Sequence, residues 1–251
     1  MNLPSQLDLL KAREEEVRKL VELLAERTNG FEEPKLVLIG GYALRAFLPF
    51  SRDTRDCDFA LGKGDPWHID SVKLWLSREL EIATQEKRED YAFLRCLKVL
   101  RMARQQAKVS LDFMEGKVIS RMTNQEVLIN ADFLDASAKT SIRVGTGDVQ
   151  VYVPSYADYL LLKIISARSS DVRDIAALVW KNGVPADLEE RAVKLIPNPE
   201  VVKTDLINII VPALEDKRFV DSWRGMFITK DFTEAVKEQV LKQLRGLIRH
   251  S

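Results

Sequence analysis

The sequence predicts an α+β protein: a mixed β-sheet with flanking helices, followed by a helical C-terminal domain. Three observations carry this. Short apolar or alternating runs bounded by turn residues recur between Leu36 and Val153, the signature of strands. Helical periodicity precedes them, from Pro4 to Arg27, and takes over after Pro154-Ser155. Between the first two strand-like runs stands Gly40-Gly41, opening a short helical pattern. The organisation expected is an N-terminal helix over residues 1–30, a sheet domain over 31–153 and a helical domain over 154–251.

In the first helix Leu7, Leu10, Val17, Leu20, Leu23 and Leu24 share one face, and Asn29-Gly30 suits its end. Leu36 to Ile39 then reads as a buried strand. Tyr42 to Phe47 has a helical pattern, and Asp56 to Leu61 alternates as a strand does. On that strand Asp56, Asp58 and Ala60 share one face, and Cys57, Phe59 and Leu61 the apolar other. Trp67 to Glu81 is expected as helix and Ile82 to Glu89 as an edge strand. Tyr91 to Met102 fits helix or strand, and strand is preferred because Lys108 to Met114 needs a neighbour. Further alternating segments occupy 117–121, 127–131, 139–144 and 149–153, with Gly145-Thr146-Gly147-Asp148 as a hairpin turn.

Ser155 is a good N-cap for a helix from Tyr156 to about Ala167. A second helix is expected from Asp171 to Trp180, ended by Asn182-Gly183. Helical pattern continues to the terminus, punctuated at Pro197, Pro199, Pro212 and Gly225.

Composition narrows the function. Lys plus Arg equals Asp plus Glu at 38 each, so a surface for nucleic acid would have to be a local patch. Cys57, Cys96, His68 and His250 lack zinc-site spacing. No run is long enough to span a bilayer, and the first residues lack the apolar core of a signal peptide, so a cytoplasmic protein without a membrane partner is expected.

The chemistry concentrates at two places. Asp56 and Asp58, two apart on one strand face, repel unless a cation neutralises them, and a hard cation with oxygen ligands suits the pair. Gly40 and Gly41 let a ligand approach the backbone at a helix start, where free N–H groups suit phosphate. Asp112 lies on a strand opposite Val109, Leu111 and Phe113, either solvated on an open face or, given Asp56 and Asp58, a third acid for the same site. The second place is Lys163, set among leucines and isoleucines, where a buried ammonium needs an anion such as a triphosphate or Asp174. Asp171 complements the dipole of the next helix, and Asp174 one turn later is the better functional acid. Arg52 and Arg55, flanking the first carboxylates, are candidates to meet phosphate.

Gly40-Gly41, a helix, and then Asp56-x-Asp58 resembles the first motif of the polymerase-β-like nucleotidyltransferases, and within them the minimal, toxin-type AbiEii-like branch. Lys163 followed by Asp171-x-x-Asp174 resembles that branch's distal motifs. The chain departs from the branch in its longer gap from Gly41 to Asp56, in Tyr42 and in Cys57. The resemblance implies transfer of a nucleotidyl group from a nucleoside triphosphate to a hydroxyl on tRNA, a protein or a small molecule. It implies two Mg²⁺ ions, or Mn²⁺ in their place, held by Asp56, Asp58 and Asp112. Lys163 and Asp174 join the catalytic set, while Gly40, Gly41, Arg52, Arg55 and Lys163 bind the nucleotide. For a toxin it also implies an antitoxin protein as partner. A catalytically idle relative that binds nucleotide or a partner is the competing reading, and intact Asp56, Asp58 and Asp112 argue against it.

Overall fold

The structure, a computed structural model, describes residues 6–50, 52–102, 105–227 and 229–250. It divides into two units, one of Met1–Ala46, Thr54–Lys117 and Ile129–Val153, the other of Phe47–Asp53, Val118–Leu128 and Pro154–Ser251. The mixed sheet with flanking helices and the C-terminal run of helices confirm the α+β class.

The first unit is built on a seven-stranded sheet. In chain order its strands are β1 (Leu36–Ile39), β2 (Asp56–Leu61), β3 (Glu81–Lys87), β4 (Ala92–Met102) and β5 (Gln105–Glu115), then β8 (Ala138–Val144) and β9 (Gly147–Val153). Their order across the sheet is β3-β4-β5-β2-β1-β9-β8. The centre combines both senses: β2 runs antiparallel to β1 and parallel to β5, and β1 runs parallel to β9. Parallel neighbours are buried on both faces, and β1 is buried at all four residues. The ambiguous segment at Ala92 is a strand, since β5 supplies the pairing partner that periodicity alone could not reveal.

Helix α1 (Gln6–Arg27) lies against this sheet through Val17, Leu20, Val21 and Leu24. Leu7, expected on the same face, is 57% exposed, so the packed stripe begins later than its periodicity suggests. On the apolar side of β2, Phe59 stacks between Phe31 and Phe113 at 5.9 and 5.6 Å. The helix after Gly40-Gly41 is a single turn, α2 (Gly40–Ala43), continued by a 3₁₀ turn at Leu44–Ala46. Helix α3 (His68–Leu76) stops short of the expected Glu81. Glu115 starts it, accepting from the N–H groups of Gly64, His68 and Ile69. Ala131–Ala136 forms a helix, α4, between the alternating segments 127–131 and 139–144; Asn130 caps it by accepting from the Phe133 N–H.

β6 (Lys117–Ile119), which enters the second unit at Val118, pairs with β7 (Glu126–Leu128), and the unit goes on with α5 (Tyr156–Ser166) and α6 (Ser169–Asn182). It continues with α7 (Leu188–Leu195), α8 (Glu200–Asp205), α9 (Val211–Glu215), α10 (Phe219–Arg224) and α11 (Glu234–His250). Pro212 does not break the helical run from Glu200 to Glu215. A π turn at Leu206–Ile210 precedes it, and that wider turn absorbs the missing N–H. The unit's core is aromatic: Trp223 stacks on Phe232 at 4.3 Å and on Phe227 at 4.5 Å, with Phe50 and Trp180 edge-on. The Trp223 indole N–H donates to the Arg173 carbonyl at 3.1 Å, which satisfies its one polar atom.

Because Trp223 is fully buried at the centre of this cluster, Trp223→Ala should cost about 3–5 kcal/mol. Urea unfolding followed by circular dichroism measures it.

Candidate active site

The pairing at the centre of the sheet brings the acids of the first unit into a row. Ile39 of β1 stands opposite Asp58 of β2. Asp58 stands opposite Asp112 of β5, and Asp112 opposite Arg95 of β4. Residues directly opposite in a sheet share a face, so Asp58, Asp112 and Arg95 are consecutive on one face, with Asp56 opposite Ser110 beside them.

The bend at the end of β1 fits against this row. Gly40 has φ +68°, in the left-handed region, and a Cβ there would collide with the Asp58 carboxylate. A Cβ on Gly41 would collide with the Thr54 side chain, which is buried against it. Both glycines are thus needed for space, and Gly40 for backbone conformation as well. With only one α-helical turn after the bend, a helix dipole adds little; what remains for an anion is the run of backbone N–H groups.

Asp56 is exposed, Asp58 half-buried and Asp112 buried. Asp112 accepts from the Arg95 Nε at 2.8 Å and from its Nη2, and from the Ser110 hydroxyl at 3.1 Å. The fork fits a carboxylate bidentately, and this bond holds the Arg95 guanidinium above its ordinary value. Asp56 and Asp58 offer the oxygen-only donors that a hard divalent cation takes. Asp112 is drawn toward β4 instead, and among the described residues no three His, Cys, Asp or Glu side chains stand close enough together to hold an ion. Asp112 therefore becomes a third ligand only by exchanging Arg95. Arg55 is exposed on the loop before β2.

The second unit carries its own charged cluster. The Lys163 ammonium donates to Asp174 Oδ2 at 2.8 Å and to Asp171 Oδ1 at 3.0 Å. Arg52 forks onto Asp174 through Nε at 2.7 Å and Nη2 at 2.8 Å, and its Nη1 donates to the Asp53 carbonyl. Arg168 donates to Asp171 at 2.6 Å from the rim. Asp171, Asp174 and Lys163 are buried, at 0, 0 and 3% exposure. Lys163, Arg52 and Arg168 thus converge on the two carboxylates. Burial alone would lower the Lys163 value, but the two carboxylates outweigh it and hold the group protonated above its ordinary range. Burial would likewise raise Asp171, but Lys163 and Arg168 outweigh it and hold it below the carboxylate range.

The sequence reading placed Asp171 at a helix start for its dipole; in the structure it is a direct partner of Lys163. Two residues escaped that reading. Arg95 lay in a segment of ambiguous periodicity and Thr54 in a loop with no pattern.

A family model for the nucleotidyl transferase AbiEii toxin, of a Type IV toxin–antitoxin system, matches residues 22–241. The chain belongs to the AbiEii nucleotidyltransferase family. It is accordingly a nucleotidyltransferase. No curated protein matches the sequence. Among solved structures, JHP933 from Helicobacter pylori aligns over 99% of this chain and 94% of its own, with TM-score 0.53 and 13% identity, and shares the fold. An H. pylori protein provisionally described as a nucleotidyltransferase aligns over 98% of this chain and 100% of its own, with TM-score 0.47 and 15% identity. Among the described residues no helix of this family member is long and apolar enough to cross a membrane.

Gly40→Ala should destabilise by about 1–3 kcal/mol through backbone strain and collision. Gly246→Ala in α11, where a Cβ meets nothing within 4 Å, should stabilise by about 0.5–1 kcal/mol; thermal unfolding of the two variants separates them.

Asp174→Asn leaves Lys163 and Arg52 buried around one remaining carboxylate and should cost about 3–5 kcal/mol at neutral pH. Lys163→Met leaves two matched pairs, Arg52–Asp174 and Arg168–Asp171, and should cost less. The Asp171 contribution is present above about pH 4 and lost as pH falls through its depressed folded value. The Lys163 contribution is complete below about pH 10.4 and lost as pH rises through its elevated folded value. Urea midpoints across pH, for the parent chain and both variants, check the order and the two limits.

Proposed function

We propose that the chain transfers a nucleotidyl group from a nucleoside triphosphate to a hydroxyl acceptor, with Asp56, Asp58 and Asp112 holding divalent cations, Mg²⁺ or Mn²⁺. The observation that carries this reading is the in-register pair Asp58–Asp112 set against a bend with no room for a Cβ. Carboxylates on two neighbouring strands beside a bend without side chains suit a metal-bound phosphate chain, which takes oxygen ligands on its metal and close backbone approach on its phosphates. Bound cations would stabilise charge on the attacking and leaving oxygens.

The remaining steps belong to the chain's own side chains. Gly40 and Gly41 present backbone to the terminal phosphates. Asp112, once parted from Arg95, accepts the proton of the incoming hydroxyl. Arg55 meets phosphate from the exposed loop. Lys163, its ammonium spent on Asp171 and Asp174, acts by holding that buried cluster together rather than by meeting phosphate. Arg52 acts through Asp174, because two of its donors are spent there. Positioning and electrostatics carry the rate, as they do in phosphoryl transfer generally. The family's toxin–antitoxin description supports a toxin role, with a protein antitoxin as partner and tRNA, a protein or a small molecule as acceptor.

The test is incubation with each α-labelled nucleoside triphosphate, Mg²⁺ and total cellular RNA or protein. Label should reach an acceptor with the parent chain and fall by at least about 10³-fold in Asp56→Asn plus Asp58→Asn, given what such electrostatic groups supply. Transfer persisting in the double variant removes these acids from the reaction. In a bacterial host, growth arrest on expression should disappear with the same pair of changes.

A further inference from the structure

β4 and β5 outrun the rest of the sheet. β3 borders β4 only as far as Leu97, and β2 borders β5 only from Ser110 onward. Beyond those points five residue pairs, from Lys98↔Val109 to Met102↔Gln105, continue as a two-stranded ribbon with no further strand at either edge among the described residues. Since β2 and β5 are parallel, the ribbon projects past the Asp56 end of β2, by about 17 Å at the usual rise per residue.

Charge sets the ribbon apart. From Tyr91 to Leu111 the sequence has five basic residues, Arg95, Lys98, Arg101, Arg104 and Lys108, and no acidic one, in a chain whose charges cancel overall. Alternation sorts them. Lys98 faces the side covered by α1, where it pairs with Glu16 at 2.6 Å. Val99, Arg101, Gln106 and Lys108 face the other way and are all exposed. That is the face of Arg95 and Asp112, so a basic track leads directly from the carboxylate row.

We propose that the exposed face of the β4–β5 ribbon is the acceptor-binding arm of the enzyme, and that its ligand is the phosphodiester backbone of a single-stranded RNA. The inference rests on the nucleotidyltransferase reading above and adds the class of acceptor. Arg101 and Lys108 neutralise backbone phosphates. Lys108 lies four residues along β5 from Asp112, about 13 Å, so a strand gripped there reaches the carboxylates with its terminal ribose. An RNA strand carries on one molecule both the polyanion this face complements and a terminal hydroxyl that can attack a triphosphate. A folded protein acceptor would present its hydroxyl and any acidic patch separately. The exposed face of the ribbon carries no aromatic side chain on which a base could stack. The grip is therefore to the backbone, which positions a strand without reading its bases.

The experiment uses the full chain and a fluorescein-labelled 20-nucleotide single-stranded RNA, followed by anisotropy without nucleotide. Two phosphate contacts on a single strand predict that affinity falls about sevenfold between 50 and 200 mM salt. Arg101→Glu plus Lys108→Glu should weaken binding at least about tenfold and flatten that salt dependence, while Arg101→Lys plus Lys108→Arg restores it. Triphosphate binding, measured by calorimetry, should be the same in all three proteins, which shows that the fold and the nucleotide site survive. Unchanged RNA affinity in the charge-reversed protein overturns the proposal, as does absence of RNA binding by the parent chain. Loss of poly-glutamate binding without loss of RNA binding overturns it in favour of an acidic protein acceptor. The two readings fail separately: transfer to protein with no RNA binding removes the arm alone, whereas RNA binding with no transfer to any acceptor removes the enzymatic reading alone.

Discussion

The structure depends on one strand having two different neighbours. β2 is antiparallel to the strand before the glycine bend and parallel to the strand that brings Asp112. Register on the first side sets Asp58 against the bend, and register on the second sets it against Asp112. A slip of one residue on either side would turn the acid to the opposite face. Phe59, held between Phe31 and Phe113 on that opposite face, opposes such a slip. The apolar stack thus positions the carboxylates without touching them.

The two charged clusters solve the same problem differently. On the sheet, Asp112 is balanced by an arginine on the neighbouring strand, a partner able to exchange for another cation because Arg95 is 27% exposed. Among the helices the balance is locked: Lys163 and both aspartates are sealed from water and each has at least two partners. A buried pair of this kind contributes less to net stability than its short distances suggest, because desolvation opposes the attraction. Its value lies in holding a defined geometry, with Arg52 tying the segment just ahead of β2 to helix α6.

Much of the architecture was legible in the sequence, because strands with a buried face and helices with an apolar stripe announce themselves by period. Asp56 and Asp58 could be placed on one face from alternation alone. Arg95 could not, since its partnership with Asp112 exists only through the β4–β5 register, and the segment around it is apolar enough to fit either period. The role of Arg52 was hidden for a related reason. It is fixed by Asp174, 122 residues away, and no local pattern encodes such a pairing. Pro212 misled because proline normally stops a helix, and only a wide turn ahead of it lets the run continue. Leu7 misled because periodicity shows which face a residue shares, not how far along the helix that face is covered.

The chain crosses from one unit to the other five times, at 46/47, 53/54, 117/118, 128/129 and 153/154. Phe50 in the aromatic core and Arg52 on Asp174 are supplied by a segment encoded far upstream of the helices they serve. No single recombination breakpoint could graft a new helical part onto an old sheet and keep both intact. Gene shuffling is therefore a poor route to diversity in this lineage, and substitution within an undivided reading frame the easier one.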